Sequence, residues 1–273
     1  MRMALVDCHT HTRFSFDASP DVTHEKMCEA AIAMGLSAIA FTDHYDVNGD
    51  VEGIYDPFSA DEAFSAALEA KEKYRDRLRV SCGIELGQAT EYPEAARAFL
   101  DAHPYDFVLA SLHNLPAVPD FYYLRYDDMP DALLHQLFER TLDETLRLCD
   151  FDGIHAFAHL TYMLRYLANA GRSLDLSTHY DKCVLLFETM IRKQIALEIN
   201  VSMLHKIPDF FMPTKELVAT YHDLGGTLFT VGSDAHAPDR VGVHVHDGIE
   251  LLRSIGVTSV AFYENGIPEA IPI

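Results

Sequence analysis

Histidine and carboxylate residues recur where the apolar, β-branched segments of this 273-residue chain end. Val6-Asp7-Cys8 leads directly to His9 and His11, and the residues that follow comparable segments are Asp43, His44, Glu85, His113, His159, Glu198, Asn200, Asp234 and His236. In a parallel barrel, the carboxyl ends of all strands meet at one rim, where the active site lies. If the apolar segments are such strands, these side chains converge on one pocket. So many imidazole and carboxylate groups predict a polynuclear metal site.

The spacing and charge of these residues support metal binding. His9 and His11 project from the same side of an extended segment, because side chains alternate with a period of two residues. Asp7, which precedes the pair, is a candidate acceptor for the second ring N–H of a histidine ligand. Glu85 and Asp234 would repel each other in one pocket without cations, and a bound metal removes that repulsion.

Helical segments separate the apolar segments in a regular order. We predict strands near residues 4–9, 37–43, 79–85, 106–112, 153–159, 195–200, 227–233 and 257–262. We predict helices from Ser19-Pro20 to Gly35, from a capping box at Ser59 to about Arg77, and near 93–102, 130–149, 177–193, 213–224 and 246–255. This alternation, with uniformly apolar strands, indicates a parallel sheet covered by helices. Polar residues at every strand end, rather than at one switch point, favour a closed barrel.

The composition limits the function classes. The length fits one domain over residues 1–273, and no linker or repeat divides it. The formal net charge of -21 argues against binding of extended nucleic acid. A small anionic substrate is compatible with this charge, because bound cations can reverse the local field. No apolar run is long enough to span a membrane and residues 1–4 begin no signal-type segment, so we expect a cytoplasmic protein.

The remaining histidines and the cysteines are assigned to packing or to the surface. These histidines lie in helices, loops or the middle of a strand: His24, His103, His135, His155, His179, His205, His222, His244 and His246. The five cysteines are odd in number and contain no CxxC pair, which argues against a disulfide framework. Cys8, Cys82 and Cys183 lie in apolar segments and are predicted to be buried.

Several segments together resemble the motifs of the PHP (polymerase and histidinol phosphatase) superfamily. They are Asp7-Cys8-His9-Thr10-His11, Thr42-Asp43-His44, Gly83-Ile84-Glu85, Ser111-Leu112-His113, Ala158-His159 and Gly232-Ser233-Asp234-Ala235-His236. The similarity covers about residues 5–240, with the motifs in the family's order. Residues 83–87, 157–166 and 197–200 resemble the histidinol-phosphatase branch of the superfamily.

The resemblance implies a distorted TIM-like (β/α)7 barrel with a site for two to three metals at the carboxyl ends of its strands. It implies a first metal on His9, His11, Glu85 and Asp234, a second on Glu85, His113 and His159, and a third on Asp17, His44 and His236. Asp17 could instead be a turn residue. Nitrogen and oxygen ligands without thiolate suit Zn, Mn or Fe, and the sequence does not distinguish among these metals.

The same resemblance suggests roles in phosphate ester hydrolysis. A bridging hydroxide is expected to attack phosphorus, and Asp234 or His236 would protonate the leaving alkoxide. Arg165, six positions after His159, is a candidate phosphate ligand, with an ordinary surface arginine as the alternative. Lys206 is a second candidate, although related sequences often carry arginine where His205 stands. Three loop tyrosines could either contact a ring-bearing leaving group or anchor the loop: Tyr122, Tyr123 and Tyr126.

The leading hypothesis is therefore a metal-dependent phosphomonoesterase that hydrolyses L-histidinol phosphate. A second hypothesis keeps the chemistry but assigns a nucleotide or another small phosphate ester as substrate. A third is a metal-binding regulatory barrel without turnover. We expect a small phosphorylated substrate and neither a nucleic-acid nor a membrane partner, and the sequence leaves the oligomeric state open.

Overall fold

A computed structural model describes residues 4–273, so residues 1–3, on which part of the signal-segment expectation rests, lie outside it. The central sheet contains β1 (Leu5–Thr10), β2 (Leu36–Phe41), β3 (His44–Asp46), β4 (Arg79–Gly87), β5 (Phe107–Ser111), β6 (Ala156–Phe157), β7 (Ala196–Asn200) and β8 (Phe229–Gly232). All pairings within this sheet are parallel. β2 pairs with the first half of β4 and β3 with the second half, so these two short strands form one of seven barrel positions.

The sheet nearly closes into a barrel, and the closing contacts lie at the carboxyl ends of its edge strands. The backbone N–H of Asp234 donates to the carbonyl of His9 at 2.8 Å, and that of His11 donates to the carbonyl of Ala235 at 2.8 Å. The predicted distorted (β/α)7 barrel is confirmed. These hydrogen bonds involve metal-ligand candidates themselves, so the contacts that close the barrel also bring the two ends of the site together.

Nine helices connect the strands of the described chain, residues 4–273. They are α1 (His24–Met34), α2 (Val47–Val51), α3 (Ala60–Tyr74), α4 (Pro93–Ala102), α5 (Asp131–Leu148), α6 (Tyr162–Asn169), α7 (Tyr180–Lys193), α8 (Lys215–Asp223) and α9 (Val245–Ser254). None of them combines the length and hydropathy that a bilayer crossing requires. The cysteine prediction is confirmed, since Cys8, Cys82 and Cys183 are buried free thiols.

One predicted helix start was wrong, and one predicted capping box does not form. The first helix begins after Thr23, whose hydroxyl accepts from the backbone N–H of Lys26, because Ser19 turns instead to hydrogen-bond Asp21 at 2.6 Å. Ser59 precedes α3 but makes no side-chain capping hydrogen bond. The short elements β3, α2 and α6 were not predicted, because segments of three to eight residues carry too little periodicity to recognise.

The last predicted strand, near 257–262, does not join the barrel. It forms an antiparallel hairpin from β9 (Ser259–Glu264) and β10 (Ile267–Pro272). This hairpin covers the amino-terminal end of the barrel, where the carboxylate of Asp106 accepts from the backbone N–H groups of Cys82 and Asn265 at 2.9 and 2.8 Å. The apolar residues of β9 therefore seal the end of the barrel opposite the histidine-rich rim.

Candidate metal centre

The structure brings all nine predicted metal ligands to the carboxyl rim of the barrel. His9 lies within β1, His44 begins β3 and Glu85 lies within β4, whereas the others lie in the segments that follow strands: His11, Asp17, His113, His159, Asp234 and His236. Most of their side chains are inaccessible, whereas Asp17 and His236 are 46% and 27% exposed. The cluster thus has a buried part and a part that faces solvent.

Glu85 lies at the centre of the cluster. Its Oε2 atom is 3.1 Å from His9 Nε2 and 3.0 Å from His44 Nδ1. Its Oε1 atom is 2.9 Å from His159 Nε2 and 3.2 Å from His113 Nε2. Each carboxylate oxygen therefore faces a different set of imidazoles, which is the arrangement of a carboxylate that can bridge two metal ions.

Asp234 and Asp17 complete the side of the cluster nearest β1 and β8. The Oδ1 atom of Asp234 is 3.3 Å from His11 Nε2, and the Oδ1 atom of Asp17 is 3.2 Å from His236 Nε2. The donor atoms form four groups, and the atoms within each group lie within 4.8 Å of one another: His9, His11 and Asp234; His9, Glu85 and His159; His44, Glu85 and His113; and His11, His44 and His236. The last group shows that His11 lies between two of the implied metal positions.

The donor atoms fit a divalent transition metal. Three buried ring nitrogens that lie within 3.5 Å of a cluster carboxylate make no well-aligned hydrogen bond within residues 4–273: His11 Nε2, His44 Nδ1 and His236 Nε2. A buried polar atom without a partner is costly, by about 1–3 kcal/mol. All three point into the cluster of carboxylates, so a cation shared with Glu85 and Asp234 would satisfy them. The donors are nitrogen and oxygen only, which matches zinc, manganese or iron.

The charges in the cluster strongly perturb its acid–base equilibria. Burial opposes ionisation of Glu85, but His44, His9 and His113 outweigh it and hold the pKa of this carboxyl well below its usual value. Burial would lower the pKa of His44, but Glu85 raises it to about 9. The pKa of His113 is also well above its usual value, because Asp46 and Glu85 outweigh burial. In the absence of metal, protons on these imidazoles therefore balance the buried carboxylates.

Glu198 holds two of the histidines from behind. Its Oε1 atom is 2.7 Å from His9 Nδ1, and its Oε2 atom accepts from the backbone N–H of His159 at 2.7 Å. Gly232 makes this approach possible, because a Cβ atom there would lie 2.3 Å from Glu198 Oε1. The hydrogen bond to Nδ1 leaves Nε2 of His9 free to bind a metal. The sequence placed Glu198 at a strand end but did not indicate this role.

Asp7 does not orient His9, contrary to the expectation that it would accept the second ring N–H of a histidine ligand. Its carboxylate accepts from the backbone N–H groups of Ser233 and Gly242 at 2.9 and 2.8 Å. Both of its oxygens are engaged by these residues, so neither contacts a histidine ring. Asp7 instead fastens the end of β8, and the orienting role belongs to Glu198.

Two further side chains that the sequence analysis missed orient other histidines. Asp46 contacts His113 Nδ1 with both carboxylate oxygens, at 3.1 Å each, and this contact needs Gly87, where a Cβ atom would lie 2.0 Å from Asp46 Oδ1. Ser15 lies 3.0 Å from His11 Nδ1 and donates to Asp43 at 2.8 Å. The one feature of the sequence that could have indicated the role of Asp46 is its position two residues after His44.

A cavity of about 1180 Å³ opens above the cluster and contains Arg165 on its wall. Arg165 projects from α6, with its guanidinium over the rings of Tyr162 and Tyr166 at 5.2 and 5.3 Å. Its Nη1 atom is 3.8 Å from Asp234 Oδ2. Lys206 is exposed and does not line the cavity, whereas the neighbouring His205 does. Of the two candidate phosphate ligands, the structure brings only Arg165 to the cluster.

The three loop tyrosines divide between the two roles considered for them. Tyr122 and Tyr123 are largely exposed and line the cavity. Tyr126 is buried, and its hydroxyl donates to the carbonyl of Phe121 at 3.0 Å. The first two tyrosines can therefore contact a ligand, and the third anchors the loop.

Comparison with known proteins agrees with this fold. A model of the PHP domain family matches residues 7–202, and the chain belongs to this family. The histidinol-phosphatase of Lactococcus lactis is 26% identical over 268 residues, covering 96% of this chain and 95% of the relative. The histidinol-phosphatase of Bacillus subtilis is 28% identical over 131 residues, 45% of this chain and 48% of the relative.

Among solved structures, the fold is similar to histidinol phosphate phosphatase from Lactococcus lactis complexed with zinc, L-histidinol and phosphate. The two structures superimpose with a TM-score of 0.81 at 22% identity, covering 98% of this chain and 99% of the other. This near-complete overlap agrees with the barrel described above.

Replacing Glu198 by glutamine should weaken zinc binding by about 10–100-fold, the usual effect of losing a residue that orients a metal ligand. The substitution keeps the side-chain size but removes the charge that faces His9 Nδ1. Competition with a chromogenic chelator measures the affinity. Glu144→Gln is the matched control, because Glu144 is equally buried but pairs with Arg147 on α5. Equal zinc affinities in the two variants would contradict the role of Glu198.

Zinc binding at pH 7 should release protons. The pKa of His44 is raised to about 9, and those of His9 and His113 are also raised, so metal must displace protons from these rings. The folded pKa values exceed the unfolded value of about 6.5, so the metal-free fold binds more protons than the unfolded chain. Its free energy of unfolding should therefore fall as pH rises from about 7 to about 9, while zinc affinity increases.

Calorimetric titration with zinc in two buffers of different ionisation enthalpy measures the released protons, and urea unfolding of the metal-free protein at both pH values measures the stability. The interpretation fails if zinc binding transfers no proton to the buffer and the metal-free protein becomes more stable at the higher pH.

Proposed function

We propose that the protein is a metal-dependent phosphomonoesterase that hydrolyses L-histidinol phosphate. The observation that carries this proposal is the position of Glu85, whose two oxygens face separate groups of imidazoles below a cavity lined by Arg165. Two metals that share a carboxylate are suited to phosphate ester hydrolysis. The names of the relatives, which align over nearly the whole chain, support the choice of substrate.

We further propose that the cluster holds two to three zinc, manganese or iron ions. The first would be held by His9, His11, Glu85 and Asp234, the second by Glu85, His113 and His159, and the third by Asp17, His44 and His236. The donor group of His9, His11 and Asp234 supports the first set most directly, whereas the members of the other two sets fall in groups that also include His9, His44 or His11. Such metals, when bound, neutralise phosphoryl oxygens and supply a nucleophilic hydroxide at neutral pH.

The residues of the chain would position and protonate the substrate. Arg165 faces Asp234 across 3.8 Å and offers its guanidinium fork to the phosphate. Stacking against Tyr162 and Tyr166 limits the rotamers of this long side chain and so reduces the entropy lost on binding. Asp234 and His236 both line the cavity and are the two candidates for donating a proton to the leaving alkoxide.

Elemental analysis should find two to three transition-metal ions per chain. Glu85→Gln should lose more metal than Asp17→Ala, because Glu85 faces two groups of histidines and Asp17 contacts only the exposed side of the cluster. One ion or fewer in the wild-type protein, or equal losses in both variants, would reject the proposed ligand sets.

Arg165→Ala should reduce turnover of phosphate esters by about 10–100-fold, since a charge-assisted hydrogen bond contributes roughly 1.5–3 kcal/mol. Metal content should not change. Arg165→Lys should recover only part of the activity, because a point charge cannot make the bidentate contact. Steady-state kinetics distinguish two cases. Loss of a contact made equally in the ground and transition states would raise KM, whereas loss of a contact that strengthens in the transition state would lower kcat. Unchanged kinetics in both variants would assign Arg165 a purely structural role.

The substrate assignment is tested by comparing L-histidinol phosphate with a panel of nucleotides and sugar phosphates. We expect the highest kcat/KM for L-histidinol phosphate, together with growth of a histidine auxotroph that lacks its own phosphatase. Preference for a nucleotide would keep the chemistry but change the substrate. Absence of metal-dependent hydrolysis for every ester, including p-nitrophenyl phosphate, would favour a metal-binding barrel without turnover.

A further inference from the structure

Most aspartates that line the cavity already have partners. Asp17 contacts His236, Asp46 contacts His113, and Asp234 contacts His11. Asp50 accepts from the hydroxyl of Tyr45 at 3.2 Å. Asp50, Asp56 and Asp120 have no cationic partner within 4.0 Å in the described residues 4–273, and of these three cavity aspartates only Asp120 is half-buried, whereas the other two are exposed. A cavity carboxylate without a counter-ion is a candidate site for a cationic part of a ligand.

The backbone holds Asp120 rigidly beside the metal cluster. It begins a short 3-10 turn (Phe121–Tyr123), and its Oδ1 atom accepts from the backbone N–H of Tyr122 at 2.7 Å. The next residue, Phe121, is fully buried and donates its N–H to the carbonyl of His113 at 2.9 Å. The residue next to Asp120 is therefore hydrogen-bonded to His113, a metal-ligand candidate.

Asp120 lines the same cavity as Arg165, Tyr162 and Tyr166. The capping bond to Tyr122 occupies Oδ1, and no hydrogen bond within residues 4–273 involves Oδ2. A half-buried carboxylate with one free oxygen can form a short, charge-assisted hydrogen bond with an ammonium group.

From this placement we infer that Asp120 binds the protonated amine of the leaving alcohol and so selects phosphate esters that carry a primary amine. The inference rests on the proposed function and extends it. With the phosphoryl group on the metal cluster and Arg165, the leaving alcohol extends into the remaining cavity. An ester without the amine would leave Asp120 without a partner, so discrimination arises from lost binding rather than from a clash.

The test compares L-histidinol phosphate with 3-(imidazol-4-yl)propyl phosphate, which has the same ring and phosphate but no amine. In zinc-loaded Asp120→Asn, KM for L-histidinol phosphate should rise about 10–100-fold, as expected for loss of a charge-assisted hydrogen bond. KM for the analogue should stay near the wild-type value. Asparagine keeps the oxygen that caps the 3-10 turn, so the loop should remain in place. Asp56→Asn, at an exposed aspartate of the same cavity, is the matched control and should change neither KM.

The outcomes separate the two proposals. If the wild type hydrolyses both compounds but Asp120→Asn changes both KM values equally or neither, the inference is overturned while the proposed function stands. If the wild type hydrolyses neither compound, the proposed function fails and the inference fails with it. If Asp56→Asn raises KM for the amine substrate as much as Asp120→Asn does, the effect comes from the general negative charge of the cavity. This outcome also overturns the inference.

Discussion

The structure depends on how the buried charge of Glu85 is compensated. Its side chain is inaccessible to solvent, and an isolated carboxylate in such a place would be strongly destabilising. Compensation comes from imidazoles supplied by four separate places along the chain, at the ends of β1, β2, β5 and β6. These groups can meet only if the strands end at the same rim. Compensation of the Glu85 charge therefore depends on the parallel barrel, and the barrel with this glutamate inside it depends on that compensation.

A second layer of polar groups fixes the orientation of the histidines. Glu198, Asp46 and Ser15 each contact the ring nitrogen that faces away from the centre of the cluster. Because each ring then has one nitrogen engaged from behind, the other is directed towards Glu85 or Asp234. Two glycines, Gly87 and Gly232, supply the space that this layer needs. The glycines are therefore part of the site, although they contribute no functional group.

The cluster consists of buried, fixed groups, whereas the cavity presents groups that a substrate can reach. The histidines around Glu85 are buried, and Glu198 and Asp46 also hold His9 and His113 from behind, which suits precise placement of metals. Asp17, His236 and Arg165 lie at the boundary with the cavity, where a substrate can reach them. Asp120 adds a negative charge to the wall of the same cavity. Binding of a zwitterionic ester across these two parts would use the positive metal cluster at one end and this carboxylate at the other.

Much of the fold and most of the rim residues could be predicted from the sequence. The alternation of apolar and helical segments indicated the barrel, and the polar residue after each segment located the side chains of the cluster, because strand polarity alone sends them to one rim. Glu198, Asp46 and Asp120 could not be assigned in this way. Their roles depend on distances across the barrel and on the 3-10 turn at Phe121–Tyr123, which local periodicity does not encode. Asp7 was misassigned because its carboxylate binds the backbone that follows β8 rather than a histidine ring, and the last predicted strand pairs with β10 in a hairpin rather than joining the barrel. The sequence thus determined which chemical groups meet at the rim, whereas tertiary packing decided which of them face the centre, which hold others in place and which remain free for a ligand.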